Sequence, residues 1–510
     1  MRINHILYTF LFVWGVFITA CTNSFEEINR PQTGAPIVDP DPMFTRALVT
    51  GSGMSYQIWQ PIHQTRGSQW TQHWSNIKQG FTTDNYEPQL GDNIWHFYYS
   101  RAYFAPLNLN FQTKKLIEET GENPIKMACA RIWNVYLFHV VTDIFGDVPY
   151  FEAFQNLKPK FDPQEEIYRD LLKELEEAVT QIEENENGGF PTFGAADVLY
   201  NGDLLKWKKF ANSLTLRLAL RVSNVDAELA RNYIQKVNPE MTIANKDESA
   251  LLLTELGSQA VTHEVKNAMG FIYSWNEVRV SKTLMDYLDG THFGGVVDPR
   301  IYQYAEPSTE NDNFVGLENG QYAADLGADQ EYYRTNYCNI GPYFNTQEHN
   351  VELFLLTYSE TQFLLAEAKL KGYLNGGNSA SEYYQNGIKA SFEQFRYFWD
   401  GTEAISKSDE DNYLQAPGVV FDASKGLEQI ITQKWVALYG NGLEAWAEKR
   451  RTDFPAISPL KYSFPGNSDM PRRVMYSSNE LRYNRENYEA AVARMGGNTQ
   501  YTRVWWDGGN

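Results

Sequence analysis

Cysteine is scarce: the chain holds three in 510 residues, Cys21, Cys129 and Cys338. So few thiols exclude a fold stapled by several disulfides, and Cys129, inside the apolar stretch MACARIWNVYLF, fits a buried free thiol. Positive charge is also short, with 44 Lys and Arg against 64 Asp and Glu and a net charge of −20. A surface this acidic repels phosphate backbones, so nucleic acid is not expected as a partner. The HExxH, GxSxG and GxGxxG spacings are missing, which leaves zinc-protease, serine-hydrolase and dinucleotide chemistry without a motif. Long apolar runs are lacking too. The uncharged stretch Ile6 to Ala20 is fifteen residues, short of the about 20 that a membrane-spanning helix needs.

That short run, preceded by Arg2 and followed by polar Thr22, Asn23 and Ser24, reads as a secretory signal. Ile18-Thr19-Ala20-Cys21 looks like a bacterial lipobox, with Cys21 acylated and becoming the mature N-terminus. Loss of Arg2 with residues 1–20 takes the net charge from −20 to −21. Residues 21–43 are proline-rich and aperiodic and read as an acylated N-terminus followed by a flexible tether. Residues 44–510 then read as one domain.

Within that domain helical periodicity dominates. Ile167, Leu171, Leu175, Ala178 and Ile182 make one apolar stripe; Leu204, Trp207, Ala211, Leu214 and Leu218 make another, with NGGFPTFGAAD between them. Phe354, Tyr358, Thr361, Leu365 and Ala368 stripe a third helix with Gly372 as its C-cap. A fourth opens on a capping box, Ser379 to Glu382. Further helices are expected over about 93–118, 124–142 and 425–440. The hairpins resemble tetratricopeptide pairs, although the period is irregular. From about 240 to 350 the pattern lapses into loops, where binding residues tend to sit.

Aromatics are abundant, at 15 %, with 13 Trp and 32 Tyr. Rings of this kind fill cores, and they also offer flat faces to the C–H face of a sugar. Three stretches are candidates for the latter. In RGSQWTQHW (66–74), which also supplies Arg66, Trp70 and Trp74 share a side if the segment is helical, with Gln69, Gln72 and His73 nearby for hydroxyls; a core stripe fits the same spacing equally well. In FIYSWNEVRVS (271–281), Tyr273 and Trp275 alternate with Ser274 and Asn276. In EYYRTNYCN (331–339), Tyr332, Tyr333 and Tyr337 fall on an expected loop. Glu444 and Glu448, four apart, would share a helix face, and a glycosidase needs two carboxylates across its bond, but Lys449, Arg450 and Arg451 beside them favour ion pairing. Asp409 and Asp411 could hold a structural calcium ion, without an EF-hand spacing to support it; no other cofactor is expected.

Taken in order, FEEINRPQTG, DIFGDVPYFEAF (143–154), DVLYNGDLLKWKKFANSLTLRLALRVS (197–223), VVDPRI (296–301), FLLAEAKLKG (363–372), QKWVALYGNGLEAWAEKRRTDFP (433–455), PRRVMYSSNE (471–480) and TRVWWD (502–507) resemble the SusD/RagB family of nutrient-binding outer-membrane lipoproteins. The resemblance implies a mainly α fold, with tetratricopeptide-like pairs forming a right-handed superhelical frame packed against a variable, loop-rich part over about 240–350 that holds the ligand. It implies no catalysis. It also implies a SusC-like TonB-dependent transporter as partner, and an oligosaccharide as ligand or, in some branches, a peptide. Glu26-Glu27 is similar to the acidic tag that sends such lipoproteins to the cell surface. Several acyl chains hold a protein firmly on a bilayer, at about 0.8 kcal/mol per buried CH₂. Cys21→Ser should therefore abolish incorporation of labelled fatty acid and move the protein from the membrane to the soluble fraction; unchanged labelling would place the lipid elsewhere.

Overall fold

The computed structural model describes residues 39–53, 56–100, 105–253, 275–345, 351–466 and 469–509. Cys21, the tether up to residue 38, and Tyr273 lie outside them. The helices used below are α1 (Pro40–Gly51), α2 (Asp92–Tyr99), α3 (Pro106–Glu119), α4 (Pro124–Phe145), α5 (Gln164–Asn185), α6 (Leu204–Val222), α7 (Tyr358–Leu370), α8 (Ala380–Gln394), α9 (Gly426–Ala437) and α10 (Gly442–Thr452). The α5 stripe is fully buried, and so is that of α6 from Trp207 onward. Burying these faces packs α4 on α5, α5 on α6, α6 on α7, and α7 against both α8 and α9. The fold is thus mainly helical, as the stripes require. Ser379 and Glu382 form the reciprocal capping box, and Gly372 takes the left-handed conformation after α7.

Two boundaries differ from the expected ones. The span 93–118 divides into α2 and α3, because Pro106 can only open a helix. Phe354 belongs to a strand, Glu352–Leu356, paired antiparallel with Ala250–Leu253, and α7 starts only at Tyr358, where the Thr357 hydroxyl accepts from Glu360 N at 3.1 Å. Two other short antiparallel pairs are β1 (Trp74–Asn76) with β2 (Val278–Val280), and Ala305–Glu306 with Asn339–Ile340. The acidic stretch 407–413 is helical; Asp409 serves a second capping box and Asp411 pairs with Lys407 at 2.9 Å.

The helices meet at a set of buried charges. Arg217 and Arg221 of α6, Lys434 of α9 and Arg451 of α10 face Asp143 of α4, Glu360 and Glu367 of α7, and Glu444 and Glu448 of α10. Each of these side chains is at most 5 % exposed. Arg217 grips Glu360 through Nε (2.8 Å) and Nη2 (2.7 Å), and Arg451 grips Glu367 through two bonds of 2.6 Å while also reaching Glu448 at 2.7 Å. Lys434 Nζ lies 3.4, 3.7 and 3.8 Å from Glu448, Glu360 and Glu444. Burial alone would raise the Glu448 carboxyl; Arg451, Lys434 and Arg221 more than offset this and hold it well below the usual carboxylate range. Arg450 does not join the pairs. Its guanidinium lies 3.5 Å over the Trp446 ring and 4.5 Å over Trp506, and it donates to the carbonyls of Asp143 and Arg472.

Removing one partner leaves the others buried and uncompensated, at a cost of about 3–5 kcal/mol. Arg451→Met should lower stability at neutral pH by about that much in denaturant unfolding. Since Arg451 holds Glu448 depressed, its contribution is present above the unfolded carboxylate value of about 4.3 and is lost as pH falls through the folded one. The variant's deficit should accordingly narrow on acidification, and a deficit independent of pH would contradict the ion-pair account.

Candidate functional site

The described parts of the three candidate stretches, far apart in the chain, come together on one small ladder. β1 pairs with β2 in the register Trp74–Val280, Ser75–Arg279 and Asn76–Val278. Val280 N donates to Cys338 O at 3.0 Å, and Ser281 N donates to His73 O at 3.0 Å. Alternation along the ladder sends Trp74 inward, against Trp59 and Tyr439, and leaves Arg279 on the other side. Arg279 donates to Asn276 Oδ1 (2.7 Å), Tyr333 O (3.2 Å) and Arg334 O (3.3 Å). One buried guanidinium therefore ties the turn at 275–276 to the short helix Gln330–Asn336. Asn276 adopts a positive φ of 54°, which its short amide side chain tolerates.

A second tie is Asp84. Its carboxylate accepts from Ser75 Oγ (3.3 Å), Asn76 N (3.2 Å), Asn319 Nδ2 (2.6 Å) and Gly320 N (2.9 Å), while burial pushes it up to about 6. Gly320 has φ +77°, and a Cβ there would fall 2.5 Å from Tyr462 O, so only glycine allows Tyr462 N to donate to Gly320 O at 2.9 Å. This close approach brings in a segment from the far C-terminal part, Lys461-Tyr462.

The outcome is an aromatic surface. Tyr322, Tyr332 and Tyr462 are 55 %, 47 % and 46 % exposed. Tyr322 and Tyr462 have ring centroids 5.7 Å apart; Tyr332 stands edge-on to Tyr333 (5.5 Å) and Tyr337 (6.0 Å). Burial first, then Asp325 and Tyr332, raises the Tyr333 phenol. Leu326, whose N donates to Tyr322 O at 3.2 Å, packs with Tyr333 and so joins the Tyr322–Tyr462 pair to that trio. Tyr337 is pushed up to about 12 by burial and by its hydrogen bond to Tyr332. Tyr333 and Tyr337 pack with Ile77, Leu317 and Leu326 beneath the surface. Neutral phenols on flat rings can stack on apolar sugar faces and exchange hydrogen bonds with hydroxyls.

The loop after β1 links this surface to a cleft of about 670 Å³. Ile77 packs under Tyr333 and Gln79 lies against Gly327, while Gly80 and Phe81 line the cleft together with Arg66, Gln60, Gln89 and His96. Burial lowers the Arg66 guanidinium to about 10, and its Nη1 donates to Pro61 O at 2.7 Å.

Not every candidate reaches the surface. Trp70 (3 % exposed) sits edge-on to Trp446 at 4.8 Å with Nε1 donating to Thr83 O, and Trp74 is fully buried. Neither ring has a free face, so the sugar platform expected of RGSQWTQHW is corrected to core. The two rings do not share a helix face either: the chain leaves its π-helical segment Gln60–Ser68, turns at Gln72 with φ +59°, and enters β1. His73 is buried with Nε2 on Trp435 O at 3.0 Å, and burial lowers it to about 3, so it too belongs to the frame. Trp275 is half-buried against the main core. Arg66, Asn276, Tyr332, Tyr333 and Tyr337 stay at or beside the surface. Tyr322 and Tyr462 were missed by sequence reasoning; each stands alone in a polar loop, and no spacing marks it.

A model of the SusD-like family, described as starch-binding and associating with the outer membrane, matches residues 39–477. No curated protein matches. Among solved structures, a chitin-binding protein is 28 % identical over 92 % of this chain and 100 % of its own, with a TM-score of 0.76. A SusD homologue from Bacteroides vulgatus is 27 % identical over 88 % and 93 %, with a TM-score of 0.75. A chitin-binding SusD homologue from Flavobacterium johnsoniae, 24 % identical over 91 % and 97 % with a TM-score of 0.73, shares the fold. The helical frame, its order of motifs and a family match across most of the chain agree with the resemblance carried by the sequence: this chain belongs to the SusD-like family.

Proposed function

We propose that this protein captures oligosaccharides on the tyrosine surface and in the adjoining cleft, and delivers them to a SusC-like TonB-dependent transporter in the outer membrane. It is held there by acylated Cys21 and faces the cell exterior. The observation that carries the reading is the exposure of Tyr322, Tyr332 and Tyr462 in one neighbourhood; among the described residues most other large rings are buried, with Tyr302, Tyr397 and Tyr483 the other exposed tyrosines. Chitin binding by a similar protein and the family's description as starch-binding support a glycan over a peptide.

The role is binding without catalysis. Glu444 and Glu448, the pair with glycosidase-like spacing, are locked in ion pairs in the interior. The mechanism is capture by ring stacking, orientation by phenol and amide hydrogen bonds, and release into the transporter.

Tyr332→Ala and Tyr462→Ala should each weaken retention in a polysaccharide affinity gel about tenfold, equivalent to about 1.4 kcal/mol, with thermal unfolding unchanged. Trp70→Ala should do the reverse, lowering stability by about 3–5 kcal/mol through the cavity it leaves. Full retention by the Tyr332/Tyr462 double variant across starch, chitin and other polysaccharides would reject this surface as the site.

A further inference from the structure

The cleft beside the tyrosine surface has a charge character opposite to that of the whole chain. Among the described residues lining it there is no carboxylate, although the chain carries 64 Asp and Glu. Its charged member is Arg66, 7 % exposed, and its polar members include Gln60, Gln89, Asn93 and His96.

Arg66 is unusual among the buried arginines. Arg217, Arg221, Arg300 and Arg451 each face a carboxylate within ion-pair distance. Arg450 and Arg473, which do not, lie over the rings of Trp446 and Tyr476 at 3.5 and 4.2 Å. Arg279 is held by the carbonyls of Val278, Tyr333 and Arg334 and by Asn276. Arg66 has one carbonyl, Pro61 O, and among the described residues no carboxylate and no ring. A guanidinium presents five donors in a fork that matches a carboxylate or sulfate, and most of this fork is unspent inside an open cleft. Donors that face an open cleft can be taken by an anionic ligand in charge-assisted, bidentate hydrogen bonds, which are the strong ones.

We infer that the cleft takes an acidic saccharide, whose carboxylate or sulfate pairs with Arg66 while the neighbouring sugars lie on the tyrosines. This rests on the saccharide-capture reading and names the ligand class within it. The acidic surface elsewhere does not oppose it: at 0.15 M salt, exposed charges more than about 8 Å away are largely screened, so the local guanidinium decides.

The test compares chains that differ only in charge: tetragalacturonate with its fully methyl-esterified form, and a chondroitin-sulfate tetrasaccharide with its desulfated, carboxyl-reduced form, by calorimetry on the intact protein. Chitotetraose serves as an uncharged standard. At least one acidic chain should bind about 10–100-fold more tightly than its neutral counterpart, and the preference should shrink as NaCl rises. Arg66→Met should abolish the preference and Arg66→Lys should keep part of it, with thermal unfolding confirming that each variant is folded. Equal binding of each acidic chain and its counterpart overturns the inference, and so does an undiminished preference in Arg66→Met. If chitotetraose or another neutral chain binds through the tyrosines and no acidic chain binds better, the inference fails while the capture reading stands. If no saccharide of either kind binds, the capture reading fails and the inference with it.

Discussion

The nine buried charges shared by α4, α6, α7, α9 and α10 are the constraint on which the rest of the structure depends. Desolvating four cations and five carboxylates is expensive, and the outlay is offset only when every partner is in place. Five helices therefore have little freedom to slide or rotate past one another: a shift of a few ångströms would strand Lys434 or Arg451 without a counter-charge. Apolar stripes alone would tolerate several arrangements of similar energy; the ion pairs select one.

From that fixed frame the site follows by short steps. α10 touches the Gln60–Ser68 segment backbone to backbone, because Gly67 and Gly442 leave room that a Cβ would fill: one on Gly67 would lie 2.3 Å from Gly442 C. This contact sets Trp70 on Trp446 and directs the chain, through the turn at Gln72, into β1. β1 in turn places β2, Arg279 and Asp84, and these two polar nodes collect pieces of chain from residues near 84, 276, 320, 333 and 462. The tyrosines at the surface are thus supported by a buried polar layer anchored on the helical core. A loop-built site gains in this way the rigidity that stacking recognition requires.

The helical frame was largely legible in the sequence, because a period of 3.6 is written into stripes such as Ile167 to Ile182, and because caps such as Ser379–Glu382 mark where helices begin. The ion pairing of Glu448 with Arg451 was legible for the same local reason, whereas the partners of Glu444, which are Arg217, Arg221 and Lys434, lie on other helices. What failed depended on backbone direction. Trp70 and Trp74 have helical spacing, but a left-handed residue between them puts one ring on a helix end and the other on a strand. Phe354 has the spacing of the α7 stripe, but β-pairing with Leu251 takes it first. Tyr322 and Tyr462 were invisible because their partnership exists only in three dimensions, created by Gly320 and Asp84. The candidate stretch 331–339 was found by its density of tyrosine, a compositional signal that does not depend on spacing; Tyr332 and Tyr333 stand on the short helix Gln330–Asn336 and not on the loop expected for them.

A structure of the protein with an oligosaccharide bound would test the central claim most directly. Sugar rings are expected against Tyr332 and Tyr462, with the saccharide continuing toward Arg66 in the cleft. Sugar bound instead in the groove beside Phe151 and Phe154, where α3 and α4 also line an opening, with the tyrosines bare, would contradict it.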